Sequence, residues 1–194
     1  MAYLWLGIRE KGIIMTCIVG IAKDGKVYMG GDSFVSYDSR HQVSSKKKVF
    51  KTGQFLIGYT GSTRMGDLLR FELDVDRFDI SVESRLEYMV KVFIPAIRKL
   101  FQDGGYSKIV NNEEVGGQFL VGFKGELFEI DTDFQVERYL KDYSAVGSGS
   151  PYAFGVLFTL ARNEYDPVEV IYQALEAAGE FDNFVGAPYY VLQE

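Results

Sequence analysis

The chain has 194 residues, 47% of them hydrophobic, with 21 Lys and Arg against 27 Asp and Glu for a net charge of −6; this suits one globular domain with a sizeable core and argues against disorder. The acidic balance argues against a nucleic-acid partner, and the one dense basic run, Lys46-Lys47-Lys48, is too short to reverse it and on its own reads as a solvated turn. A single cysteine, Cys17, excludes an intrachain disulfide, and with one histidine, His41, neither a His/Cys zinc site nor a histidine-based triad has enough to build on, so no metal or other cofactor is expected.

Residues 1–15 read as an extension: apolar at Tyr3, Leu4, Trp5 and Leu6, charged at Arg9-Glu10-Lys11, then apolar again at Ile13, Ile14 and Met15. The segment lacks the basic start and long apolar run of a signal peptide, and no stretch approaches the ~20 apolar residues of a membrane helix, so the expected compartment is the cytoplasm. Two readings of this extension stand side by side. It is a short propeptide, or translation begins at Met15, which is then removed before the small Thr16. The domain proper is expected over residues 16–194.

Residues 16–21 form an apolar, β-branched strand, Asp24-Gly25 a two-residue hairpin turn, and residues 26–32 the returning strand. Short strands follow at 35–36, 42–44, 48–51 and 54–59, with Thr52-Gly53 as a turn. From Ser62 the period becomes helical, with Met65, Leu68, Leu69 and Phe71 as the apolar face. A second helix spans 82–101 with Leu86, Met89, Val90, Phe93, Ile94, Ile97 and Leu100 as its stripe, and Pro95 must kink or split it. Residues 102–115 read as a polar loop. Strands resume at 117–123, turn at Lys124-Gly125, and continue at 127–130, 135–139 and 145–146. Gly147-Ser148-Gly149-Ser150-Pro151 leads into a helix to about 162, with Ser150 as cap and Pro151 as first helical residue. Asp166 and Glu169 have capping-box spacing for a last helix ending near Gly179, and residues 189–192 form a final strand. Strands, two helices, strands, two helices and a strand make two stacked sheets, each covered outside by a helix pair.

The chemistry gathers around Thr16. Asp32 lies 16 residues on, Lys48 lies 32 residues on, and a glycine turn, Thr60-Gly61-Ser62, follows. If the chain before Thr16 is removed, one residue carries a hydroxyl nucleophile and a free amine base, which activates an alcohol without histidine. Cys17, at the next strand position, points to the opposite face and belongs to the core, and His41 reads as a surface residue of a strand or loop.

Thr16-Cys17-Ile18-Val19, Gly31-Asp32, Lys48-Val49, Thr60-Gly61-Ser62 and Gly147-Ser148-Gly149-Ser150-Pro151-Tyr152-Ala153, in this order and spacing, resemble the N-terminal-nucleophile hydrolases. Within them the chain is most similar to the proteasome β-subunit group, on the side of the bacterial ATPase-dependent peptidases. The resemblance runs from Thr16 nearly to the C-terminus. It implies an α+β fold, a four-layer αββα sandwich of two stacked antiparallel sheets flanked by helix pairs.

The resemblance also implies a catalytic set. Thr16 would be the nucleophile, its own α-amine, titrating near ~7.7–8.0, the base. Lys48 would be a buried cation favouring the deprotonated hydroxyl, Asp32 its partner, and the Gly61 N–H the oxyanion donor. Ser148 and Asp182 would form the network around the amine. Val35, Lys46, Phe50, Tyr59 and Thr63 would surround the pocket for the residue before the cleaved bond; Tyr59 would make it shallow and Lys46 would favour an acidic or polar side chain. One departure is Asp182-Asn183-Phe184-Val185-Gly186, where the family often has serine at the place of Val185, so the network there is thinner or uses water.

The implied function is a threonine peptidase, exposed at Thr16 by removal of residues 1–15. It would work as a self-compartmentalised homo-oligomeric ring that receives protein substrates from a ring ATPase unfoldase, with no nucleic-acid or membrane partner. Two alternatives share the fold: a small-molecule amidase, and a catalytically silent structural subunit that keeps residues 1–15 as a contact arm.

Overall fold

The computed structural model describes residues 16–37, 40–75, 84–161 and 164–194, with the side chains of 36–41 outside the description. The extension 1–15, the start of the expected second helix at Val82, and the side chain of His41 therefore lie outside the described residues.

Two antiparallel sheets are stacked. The first has the order β12-β1-β2-β13, built from β1 (Ile18–Lys23), β2 (Lys26–Gly31), β12 (Tyr143–Val146) and β13 (Tyr190–Gln193). The second has the order β11-β10-β9-β6-β5, built from β5 (Val49–Thr52), β6 (Phe55–Tyr59), β9 (Phe119–Phe123), β10 (Glu126–Ile130) and β11 (Val136–Glu137). Strand alternation sorts side chains into three apolar layers. Ile18, Val27, Met29, Val49, Leu56, Leu120, Leu127 and Val146 fill the space between the sheets. Cys17, Val19 and Ile21 point the other way, onto α4 (Ser150–Leu160) and α5 (Pro167–Phe181). Ile57, Tyr59, Phe119, Val121 and Phe123 point onto α1 (Thr63–Phe71), α2 (Arg85–Tyr88) and α3 (Ile94–Asp103). The four-layer αββα sandwich is thus present. No helix among the described residues is long and apolar enough to cross a membrane.

Several local expectations change. Phe71 is 71% exposed, because α1 buries only the Met65, Gly66, Leu68 and Leu69 side. Ahead of Pro95 the second helix is divided. A π-helical turn (Met89–Phe93) joins α2 to α3, with the Ile94 N–H donating back to the Met89 carbonyl, and this wider turn accommodates the proline in the first turn of α3. The inserted turn also rotates the stripe: Leu86 and Val90 are exposed while Tyr88, Met89, Phe93, Ile97 and Phe101 are buried. Residues 102–115 are not all loop. They carry the end of α3 and a hairpin of β7 (Lys108–Val110) and β8 (Glu113–Val115) across Asn111-Asn112, both in the left-handed region. At the start of α4 the cap is Gly149, with Ser150 first and Pro151 second. Asp166 does cap α5, accepting the Val168 N–H at 2.9 Å, whereas Glu169 accepts from Gln173 one turn on. A second small hairpin pairs β3 (Phe34–Tyr37) with β4 (Arg40–Val43).

Candidate active site

The site begins with a register. The Asp24-Gly25 turn, with φ of 52° and 72°, closes the β1–β2 hairpin so that Ile18 pairs with Gly31. One residue beyond, Cys17 and Asp32 are opposite: the Asp32 N–H donates to the Cys17 carbonyl (3.3 Å) and the Cys17 N–H donates to Asp32 Oδ1 (3.0 Å). Thr16 and Asp32 therefore meet because two strands and a tight turn occupy the residues between them. The Thr16 hydroxyl donates to Asp32 Oδ1.

Lys48 comes from the other sheet. Its carbonyl accepts the Tyr59 N–H at 3.1 Å, which anchors it beside the end of β6. Its Nζ reaches both Asp32 carboxylate oxygens at 2.9 Å and donates to Thr16 Oγ1 at 2.5 Å. Thr16, Asp32 and Lys48 are 0%, 1% and 4% exposed. Burial pushes the Lys48 ammonium below its ordinary pKa, and the Asp32 carboxylate opposes this by charge and hydrogen bond. The same carboxylate accepts the Phe34 N–H at Oδ2 (2.9 Å), so both oxygens are held by fixed donors. The result is an alcohol oxygen with an ammonium on one side and a carboxylate on the other, out of water.

The turn before α4 wraps the other side of Thr16. The Thr16 carbonyl accepts the Gly149 N–H at 3.2 Å. Gly147 has φ +97°, and a Cβ there would stand 2.2 Å from the Thr16 carbonyl oxygen. Between them, the Ser148 hydroxyl oxygen is buried with no hydrogen-bond partner among the described residues. Asp182 ends α5 and accepts the Phe184 N–H at 2.9 Å. Its charge joins burial and Asp32 in pushing the Cys17 thiol well above its usual range, so Asp182 acts electrostatically at the residue next to Thr16, and Cys17 is an inert core thiol. Val185 is buried and stands against Gly149 and the Cys17 cluster, an apolar contact with no hydroxyl to offer.

Residues 15–191 match the family described as proteasome subunit. The chain belongs to the proteasome-subunit family. The ATP-dependent protease subunit HslV of Petrotoga mobilis is 27% identical over 168 residues, covering 85% of this chain and 89% of the relative. BPH of Thiobacillus denitrificans, in a structure in complex with epoxomicin, superposes with a TM-score of 0.77 at 19% identity over 92% of this chain and 98% of that one. Eukaryotic HslV from Trypanosoma brucei gives a TM-score of 0.64 at 21% identity, over 92% and 98% of the two chains.

The remaining residues expected at the site have local settings of their own. Gly61 has φ +75° and sits in a turn held by Thr60, whose N–H and hydroxyl both donate to the Gln118 carbonyl at 3.2 and 2.9 Å. Ser62 then caps α1 through the Arg64 N–H, and Thr63 is its first residue. Val35, Phe50 and Tyr59 are buried. The Tyr59 ring packs on Gly66 of α1 and tilts against Phe50 at 6.2 Å, while burial raises its hydroxyl to about 12. Lys46 is not a free cation: it donates to both Asp67 oxygens at 2.8 Å, so its charge is largely compensated. Asp67 was not singled out from the sequence, and neither was Ser33, whose hydroxyl is tied to Pro188. The adjacency of Ser33 to Asp32 was the one available signal.

Proposed function

We propose that this chain is a threonine peptidase with Thr16 as its nucleophile, exposed by removal of residues 1–15. The observation that carries the reading is the Thr16 hydroxyl held between Lys48 and Asp32 in a buried cluster. The freed α-amine accepts the hydroxyl proton, and Oγ1 attacks the substrate carbonyl carbon. The oxyanion forms towards the Gly61 N–H, and the amine passes the proton to the leaving amine. The resulting ester is cleaved by water, with the same amine as base. Lys48 favours loss of the hydroxyl proton by stabilising the negative charge that develops on Oγ1, and Asp32 holds Lys48. The unpartnered Ser148 hydroxyl, with Asp182, receives the new amine.

The family and the HslV relative support a homo-oligomeric, self-compartmentalised cytoplasmic assembly working with a ring ATPase unfoldase on protein substrates. The structural-subunit alternative has a physical objection. A buried ion pair is costly to desolvate and adds little stability over apolar packing, so a silent scaffold has no use for it. The pocket before the cleaved bond is formed by Val35, Lys46, Phe50, Tyr59 and Thr63. It is shallow because the Phe50 and Tyr59 rings, tilted against each other, fill the space under α1, and Lys46 gives only a modest preference for polar or acidic residues over basic ones. Fluorogenic peptides ending in Glu, Leu and Arg test this; cleavage after Arg equal to or better than the others overturns it.

The deciding experiment is intact mass with N-terminal sequencing, followed by peptidase assay of the chain that begins at Thr16 against Thr16→Ala. Activity that vanishes in Thr16→Ala is expected. Activity surviving in that variant, or none in a chain that begins at Thr16, overturns the proposal. If the purified chain begins at Met1 and a version begun at Met15 gains nothing, the structural-subunit reading takes its place.

A further inference from the structure

We infer that Ser33 is a positioning residue that locks the Asp182 side of the site to the Asp32 and Lys48 side; the kinetic part of this inference rests on the peptidase reading above. Ser33 is fully buried, directly after the carboxylate that holds Lys48 and Thr16. All three of its polar groups reach other segments. Its hydroxyl donates to the Pro188 carbonyl at 2.5 Å, and its N–H donates to the Gly186 carbonyl at 3.2 Å. Its carbonyl accepts the Ser44 N–H at 2.9 Å, in the stretch that runs into Lys48.

The segment so gripped, 186–188, continues directly from the Asp182 turn. There the Val185 N–H donates to the Asp182 carbonyl at 3.0 Å and the Phe184 N–H to the Asp182 carboxylate at 2.9 Å. The Phe34 ring, next after Ser33, fills the space over Gly186, where a Cβ would stand 2.4 Å from the ring. Asp182 itself ends α5 on the outer helix layer, whereas Asp32 ends a strand. The charge of Asp182 reaches Cys17, next to Thr16, so the separation of the two acidic groups bears on the site. Ser33 ties the two by side-chain and backbone hydrogen bonds, over a separation of 155 residues for the hydroxyl bond. It makes no contact with the Thr16 hydroxyl among the described bonds, so its effect is geometric. Small displacements of groups around a reacting atom are costly in rate.

The test uses the full assembly with Thr16 exposed and the substitution Ser33→Ala, which removes only the Pro188 contact. Two readouts are taken. Amide hydrogen exchange over 182–188 reads the clamp without reference to activity, and is expected to speed up. Peptidase kinetics read the positioning: kcat falls about tenfold with KM within about twofold, and the loss is less than additive with that of Asp182→Asn. Unchanged exchange overturns the clamp. Faster exchange with unchanged kcat, or losses fully additive with Asp182→Asn, overturns the positioning role. If Ser33→Ala fails to fold, Ser33→Cys keeps the volume with a weaker donor and is expected to give the same two changes at smaller size. A wild-type chain without Thr16-dependent activity overturns the peptidase reading and the kinetic role together, and the exchange arm then decides the clamp alone.

Discussion

At the scale of single residues, the site depends most on Lys48, whose cost and use are inseparable. Its ammonium lies out of water and is retained because Asp32 faces it with two oxygens at 2.9 Å. Replacing it by an apolar residue of similar length leaves a buried carboxylate without a counter-charge, which costs about 3–5 kcal/mol. Lys48→Met is therefore expected to melt about 10 °C lower and to lose about 10²-fold or more of its peptidase rate; a variant melting within a degree of wild type would contradict this. The pH dependence follows from the lowered pKa of the same group. Folded, Lys48 holds its proton less tightly than unfolded. Between its lowered folded value and ~10.4 the unfolded chain therefore binds more protons, and this group's contribution to stability rises with pH. Below that window its penalty is constant. In the proposed mechanism the charged form acts at Thr16, so activity moves the other way: the alkaline limb of the pH–rate profile is expected to begin below pH ~10.4. Paired pH–rate and pH–melting curves check both signs, and a rate that stays flat up to pH ~10.4 would remove Lys48 from the mechanism. Thr16, Asp32 and Lys48 were legible in the sequence because a local hairpin register and motif spacing bring them together. Asp67 and Ser33 were not, because each acts through a side-chain contact to a distant segment that no period or turn signal encodes.

Secondary elements place these groups, and the turn before α4 is where a local rule has the largest effect on the site. Gly147 stands at φ +97° with its absent Cβ 2.2 Å from the Thr16 carbonyl oxygen, a conformation and a contact that any side chain would violate. Gly155, inside α4, has open space where its Cβ would be. The two glycines thus give opposite predictions on the same melting curve. Gly147→Ala is expected to lose about 3 kcal/mol and to displace Thr16, with a fall in activity. Gly155→Ala is expected to gain up to about 1 kcal/mol from helix propensity. Equal effects of the two would show that the turn relaxes around its new side chain. Most elements were readable from period and turn chemistry: strand alternation and Asp24-Gly25 or Lys124-Gly125 turns carry their own signals. The failures have physical causes. The π-turn around Met89–Phe93 shifts the helical phase, so a stripe counted at constant period puts Leu86 and Val90 on the wrong face. The β7–β8 hairpin is largely exposed, so it lacks apolar alternation, although Asn111-Asn112 was a usable turn signal.

At the scale of the whole molecule, α4 is the element that a lone subunit does not explain. Its sequence is apolar nearly all round, yet only Ala153 and Leu157 are buried. Tyr152, Phe154 and Phe158 are exposed on it. Tyr152 pairs with Phe181 of α5 at 5.6 Å, which extends the patch across both outer helices. Beside it, Tyr139, Leu140, Tyr143, Phe154 and Phe158 line a recess of about 630 Å³, with Lys141 among them. Lys141 holds its ammonium 5.1 Å from the Phe158 ring centre. Contiguous aromatic surface of this kind marks an interaction face, and the self-assembly proposed above makes a second copy of this chain the expected occupant. A closed symmetric assembly repeats one such contact at every equivalent position, so a single substitution is multiplied through the whole particle. Phe154→Glu with Phe158→Glu places two carboxylates in that face while leaving the core layers untouched. The double variant is expected to fold, with far-ultraviolet dichroism like wild type, and to sediment as a smaller species at concentrations where wild type is assembled. Equal sedimentation of variant and wild type would show that α4 is not the contact between copies.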